Sequence, residues 1–222
     1  MTKHKILAPS ILAANFCNLE NDIKITENHG AEYLHFDVMD GMFVPSISFG
    51  APVLQSIKKI TNQVIDVHLM VEEPIRYIET FLLAGADIIT IHHEACKDVE
   101  ATIQKIKECG LKCGVSIKPD TPVKAVEPYL ELLDMVLIMT VEPGFGGQAF
   151  IPTSLDKIKE LYQLIEKKGC AVDIEVDGGI SAANLKDVLE AGADIIVAGS
   201  AVFGENIEGN TKEMMEIIQG YE

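Results

Sequence analysis

Eight short apolar runs alternate with helix-period stretches from one end of this chain to the other. The runs fall at 5–10, 33–39, 65–70, 88–92, 112–117, 135–139, 173–176 and 195–198. Most are rich in Val, Ile, Leu and Met, without the polar alternation of a sheet with one wet face. Strands buried on both faces and separated by helices are parallel strands joined by crossovers. Helical periodicity is clearest at 99–109, 155–168 and 183–191. An internal echo marks the joints: HGAEYL at 29–34, AGADII at 84–89 and again at 191–196, and more loosely ECGLKCGV and KKGCAVDI. Each places a glycine where a helix should end, just before a buried strand. No Ser/Pro-rich linker or charge block divides the 222 residues, so one domain over 1–222 is expected. An open doubly wound sheet is the alternative. Eight strands at this length favour a closed TIM (β/α)8 barrel.

Catalytic groups in such barrels sit at the C-terminal ends of strands. His35 and Asp37 in LHFDVMDG, His68 in IDVHLMV and Asp177 in IEVDGG occupy such positions. Side chains alternate faces along a strand, so His35, Asp37 and Met39 share one face, as do His68 and Met70. The histidines taken singly could be hydrogen-bonded core residues. Two aspartates at the same strand ends change that reading, because a carboxylate on an apolar strand must be paired or bind a metal. Two imidazoles and two carboxylates without cysteine suit one divalent ion, Zn²⁺, Mn²⁺, Fe²⁺ or Co²⁺, with zinc the first candidate. The same carboxylates are equipped to move a proton on and off carbon. His92 and His93 follow the fourth strand without a carboxylate pattern and are read as supporting or structural.

Glycine-rich segments follow the last three strands: EPGFGGQ at 142–148, DGG at 177–179 and GSAVFG at 199–204. Loops after strands seven and eight, with the start of a short extra helix, are a common phosphate site in barrels. Glycine lets backbone N–H groups approach the anion, and a helix start adds its dipole. None of these loops contains Lys or Arg. GFGG is not followed by GK[ST], so it is not a nucleotide P-loop. Met39, Met70 and Met139 end their strands, where they serve as core filling or as a non-titrating wall. Ser10, in LAPSIL, either touches substrate or opens its loop.

The charge balance of −16, from 34 acidic and 18 basic residues, disfavours nucleic acid and anionic membrane as partners. The five cysteines, an odd number without CxxC spacing, are expected to be reduced. With no signal-like start and no long apolar run, a cytoplasmic location is expected.

Read together, APSILAANF, LHFDVMDG, FVP, DVHLMV, AGADIITIHHEA, TVEPGFGGQAFI, IEVDGGI and GSAVF resemble the ribulose-phosphate 3-epimerase family from residue 6 to about 203. The resemblance implies a TIM barrel interconverting ribulose 5-phosphate and xylulose 5-phosphate in the pentose phosphate pathway. It implies Asp37 as proton acceptor and Asp177 as proton donor, with the roles reversed in the back reaction. It implies one divalent metal per subunit on His35, Asp37, His68 and Asp177, and substrate contacts by Ser10, His68 and Asp177. Phosphate would be held by Gly144, Phe145, Gly146, Gly147, Gly178, Gly179, Gly199 and Ser200. Met39, Met70 and Met139 match the family's methionine wall. Family members are commonly oligomeric, which implies a homo-oligomer. The chain reads DGMFVPS, with Met42 and Ser46, where relatives often read DGHFVPN. The rivals are a hexulose 6-phosphate (allulose-6-phosphate) 3-epimerase and a catalytically silent phosphosugar-binding barrel. A decarboxylase of the orotidine-phosphate type ranks below both, because the second strand reads DVM rather than DxK.

Overall fold

The structure is a computed structural model that describes residues 4–221. Eight parallel strands run in the order β1-β8-β7-β6-β5-β4-β3-β2. They are β1 (Ile6–Pro9), β2 (Tyr33–Met39), β3 (Val64–Met70), β4 (Ile88–His92), β5 (Lys112–Ile117), β6 (Met135–Met139), β7 (Asp173–Asp177) and β8 (Ile195–Ala198). The doubly wound alternative would leave β1 and β2 apart. Instead a parallel bridge between Ser10 and His35 joins the two ends of the sheet. The barrel therefore closes on two residues that the sequence marks for function.

Among the described residues, seven α-helices surround the strands: α1 (Leu19–Asn28), α2 (Ala51–Ile57), α3 (Ile78–Ala84), α4 (Val99–Glu108), α5 (Ser154–Lys168), α6 (Leu185–Ala191) and α7 (Ile207–Gln219). The β5–β6 crossover holds two 3₁₀ turns, Val123–Ala125 and Glu127–Leu132, in place of an α-helix. Pro119, Pro122 and Pro128 crowd that segment, and each removes an N–H donor that an α-helix would need. The helices expected at 99–109 and 183–191 end or begin one or two residues inside those bounds. All five joint glycines, Gly30, Gly85, Gly110, Gly169 and Gly192, have φ between 66° and 114°. L side chains disfavour that region, so the repeated glycine is a stereochemical requirement of the helix-to-strand joint.

Alternation along the strands builds two cores. Leu34, Phe36, Val38, Ile65, Val67, Leu69, Ile89, Ile91, Val136 and Ile138 join the layer between barrel and helices, where α5 contributes Ile158, Leu161 and Ile165. Each such side chain contributes roughly 1.5–3 kcal/mol on full burial. The opposite parity fills the interior. Its base is apolar: Ala8, Tyr33, Ile88, Met135, Ile195 and Val197. Above that plug the interior turns polar, with Ser10, His35, Asp37, Asp66, His68, Thr90, His92, Ser116 and Glu175 all buried. A one-residue slip of β2 would exchange the two sets, so the register that secures the core also aims the polar groups. No helix among the described residues is long and apolar enough to cross a membrane, and the five cysteines are free.

Candidate active site

Strand pairing decides which side chains meet. Register places Asp37 beside His68, Met39 beside Met70, and Met139 beside Asp177. His35, Asp37, His68 and Asp177 each offer a ligand atom, all within 4.8 Å of one another. The four residues singled out from sequence thus converge on one point at the barrel's C-terminal end. His35 Nε2 is fully buried without a hydrogen-bond partner and lies 3.3 Å from Asp37 Oδ1. His68 Nδ1 lies 3.1 Å from the same oxygen and 3.8 Å from Asp177 Oδ2. An orphaned ring nitrogen facing carboxylate oxygens in an N₂O₂ set is what a divalent cation requires, so these residues fit one.

Each group is held from behind. His35 Nδ1 lies 2.6 Å from Asp66 Oδ2 and 3.5 Å from Glu175 Oε1. Asp66, accepting from Nδ1–H, leaves the lone pair of a neutral His35 ring on Nε2, toward the cluster. Ser10 Oγ donates to Asp37 Oδ2 at 2.5 Å, a charge-assisted bond across the barrel seam. His68 Nε2 lies 2.9 Å from His92 Nε2, and His92 Nδ1 lies 3.3 Å from Glu94 Oε2. Asp66, Glu175 and Glu94 did not emerge from the sequence reading. Asp66 and Glu175 sit two residues before His68 and Asp177, on the same strand faces, so period-two alternation carried the signal for both.

The two aspartates have opposite electrostatics. Burial would raise the Asp37 carboxyl, but the adjacent His35 and His68 outweigh it and hold Asp37 far below the ordinary range. Asp177 is raised from 3.8 to about 6 by burial and by the charge of Asp37. Burial would lower His35, yet Asp37 and Asp66 raise it well above its usual value. Burial, joined by the nearby Asp66, also pushes Glu175 well up. His92 is lowered by burial to about 4. Burial would raise Glu94, but hydrogen bonds from His92 and Thr121 bring it to about 2.

A pH dependence follows for stability. His35, Asp177 and Glu175 bind their protons more tightly folded than unfolded, so the stability they contribute is full below their unfolded values. It is lost as pH rises through their folded values, about 6 for Asp177 and above 6.5 for His35. Asp37 and Glu94 run the other way and lose their contribution only in acid, below their ordinary values of 3.8 and 4.5. A cation competes for the same lone pairs. Thermal melts with and without added Zn²⁺ should therefore show a larger Zn²⁺-induced rise in Tm at pH 8 than at pH 5.5. An equal or smaller rise at pH 8 would contradict this account.

Above the cluster opens a cavity of about 650 Å³. Ser10, Asp37, Asp177 and the three methionines line it, with Gly144, Phe145, Gly146, Gly147, Gly178, Gly179, Gly199 and Ser200. His35 and His68 are fully buried and do not line it. His68, expected to touch substrate as well, lies beneath the floor. Ser46 is part of the wall, whereas Met42 lines a separate cavity of about 300 Å³ and is 73% exposed. The lining contains no Lys or Arg, in keeping with the loop sequences. At 199–203 the chain makes one helical turn: the Val202 and Phe203 N–H groups both bond Gly199 O at 2.9 Å. Gly178 and Gly179 have φ of 122° and 66°, and a Cβ on Gly179 would lie 2.4 Å from Phe150 N. Glycine there lets the loop turn sharply and pack backbone against backbone.

The chain matches the ribulose-phosphate 3 epimerase family over residues 6–203. It is 51% identical over 201 residues to ribulose-phosphate 3-epimerase of Bacillus subtilis, covering 90% of this chain and 93% of that one. It is 44% identical over 204 residues to ribulose-phosphate 3-epimerase of Escherichia coli, covering 91% of each. Among solved structures, KGPDC from Streptococcus mutans superimposes with a TM-score of 0.76 over 98% of each chain. 3-Hexulose-6-phosphate synthase from Salmonella typhimurium does so with 0.72, over 98% of this chain and 100% of that one. At 14% and 16% identity these two speak for the barrel alone. Relatives that share close to half of their residues across nearly the whole chain carry a stronger implication: this protein belongs to the ribulose-phosphate 3 epimerase family.

Proposed function

We propose that the protein interconverts D-ribulose 5-phosphate and D-xylulose 5-phosphate by moving the C3 proton between the two faces of the carbon. The observation that carries this reading is the split aspartate pair. One carboxyl is held ionised and the other poised near neutrality, on a common cavity. Paired carboxyls with environments that push them apart are suited to acid and base roles. In the forward direction Asp37 accepts the proton and Asp177 returns one to the opposite face. Ser10 holds the second oxygen of Asp37 and so orients the first. A divalent cation on His35, Asp37, His68 and Asp177 supplies Lewis-acid stabilisation of the enediolate charge when bound. Met39, Met70 and Met139 exclude water without offering a competing proton donor. The Gly144–Gly147 loop, Gly178, Gly179, Gly199 and Ser200 receive the phosphate through backbone donors and the Ser200 hydroxyl. A cytoplasmic setting and assembly into a homo-oligomer, without nucleic acid or membrane partners, complete the proposal.

Transfer of solvent deuterium to C3 tests it. Purified protein loaded with Zn²⁺ or Mn²⁺ should label ribulose 5-phosphate at C3 and yield xylulose 5-phosphate. It should favour this pentulose over a hexulose 6-phosphate in kcat/KM. A preference for the hexulose would transfer the reading to that substrate. No labelling of either would leave a silent sugar-phosphate barrel.

A further inference from the structure

His68 is the one member of the cluster with a ring nitrogen facing a second imidazole outside the cluster. Nδ1 faces Asp37 and Asp177, and Nε2 faces His92 Nε2 at 2.9 Å. Two ring nitrogens at that distance form a hydrogen bond only if one carries a proton and the other does not. Which one donates follows from the outer end of the chain. Glu94 Oε1 accepts from the Lys118 N–H at 2.8 Å and from the Thr121 hydroxyl, and Oε2 faces His92 Nδ1 at 3.3 Å. Two donors already hold Oε1 of this carboxylate, and its free Oε2 can only accept, so His92 Nδ1 carries the proton and gives it to Glu94. A neutral His92 then has a bare Nε2, which accepts. His68 must donate from Nε2, so the lone pair of its neutral ring falls on Nδ1, toward the Asp37 and Asp177 oxygens. A bare Nδ1 facing a carboxylate oxygen at 3.1 Å is repulsive, so either a proton or a divalent cation lies between them.

We propose that His92 and Glu94 are positioning residues that fix the tautomer and orientation of His68, so that its Nδ1 is presented bare to a divalent cation. Packing supports the assignment. The His68 and His92 rings lie 4.9 Å apart at 30°, Phe43 covers His92 at 4.8 Å, and His92 is fully buried. The ring has little room to flip. Glu94 lies in the 3₁₀ turn His93–Ala95 that follows β4, and the Lys118 N–H just beyond β5 grips it, so the scaffold sets the carboxylate independently of the cavity. His35 and Asp66 form a matching pair on the other side of the cluster. The inference rests on the metal-site reading above but not on the choice of sugar.

The test reads tautomers and metal affinity as well as turnover. Imidazole ¹⁵N–¹H spectra of the wild type, with chelator and then with Zn²⁺, should show His92 protonated at Nδ1 in both and His68 protonated at Nε2 with Zn²⁺. His92 protonated at Nε2 would overturn the proposal without any variant. Competition with a chromogenic chelator should show Zn²⁺ binding weakened about 10–100-fold in His92→Leu. His92→Gln, whose amide oxygen can accept from His68, should stay within a few-fold of wild type. Equal Zn²⁺ affinity in wild type and His92→Leu would overturn the proposal while leaving the epimerase reading intact. A wild type that binds Zn²⁺ with these tautomers but does not epimerise would fail the sugar assignment alone. A wild type that binds no divalent cation would overturn this proposal together with the metal site.

Discussion

Replacing Asp37 or Asp177 with asparagine is expected to lower epimerisation about 10²–10⁴-fold, the range for loss of one acid/base group. The amide matches the carboxyl in shape but cannot take a proton. Any exchange that survives should be confined to the epimer whose C3 hydrogen faces the remaining carboxylate. The two variants should differ in stability. Asp177 is raised to about 6, so near pH 7 the fold holds a carboxylate that burial disfavours, and Asp177→Asn should melt at or above the wild-type temperature with chelator present. Asp37 is the ionised partner of His35, His68 and Ser10, so Asp37→Asn should melt lower. Steady-state turnover, epimer-specific deuterium exchange and melting curves check these outcomes together. Full activity in either variant would refute the two-base mechanism. Opposite stability effects would support the split in protonation between the pair.

The second large effect is expected at the β7 loop. Gly179→Ala must place a Cβ 2.4 Å from Phe150 N and 2.8 Å from Phe150 Cα at a φ of 66°. The obstacle is backbone, so it cannot rotate away. Left-handed strain of roughly 1–2 kcal/mol adds to overpacking of about 1–3 kcal/mol. In a chain of this size that corresponds to a fall in Tm of about 10 °C. Activity should fall as well, because the same residue shapes the proposed phosphate cradle. Gly147→Ala is the control. Its φ of 72° is nearly the same, but nothing lies within 4 Å of the added carbon. It should lose roughly 1–2 kcal/mol from strain alone. Equal losses in the two variants would show that the Phe150 contact gives way.

Much of the barrel was legible in the chain because its signals are local. A buried parallel strand shows as an apolar run, and a helix-to-strand joint needs a glycine at positive φ. Both can be read without knowing which strands pair. Parity along β2 and β3 likewise placed His35, Asp37 and Met39 on one face and His68 and Met70 on another. The β5–β6 crossover shows the limit of the repeating pattern: three prolines override the expected helix with 3₁₀ turns.

Sequence alone determined the alternation of elements, the four side chains worth following and the glycine loops beside them, since each depends on neighbours within a few residues. Tertiary structure decided what those side chains face. Closure through Ser10 and His35 joins the two ends of the sheet and places the Ser10 hydroxyl on Asp37. Packing across the interior sets Asp66 and Glu175 behind His35, and His92 and Glu94 behind His68. The unequal protonation of Asp37 and Asp177 arises there too. Two carboxyls of like chemistry differ because one meets two imidazoles and a hydroxyl, while the other meets burial and the first one's charge. Burial and through-space charge are properties of the assembled barrel, and no local stretch of sequence encodes them.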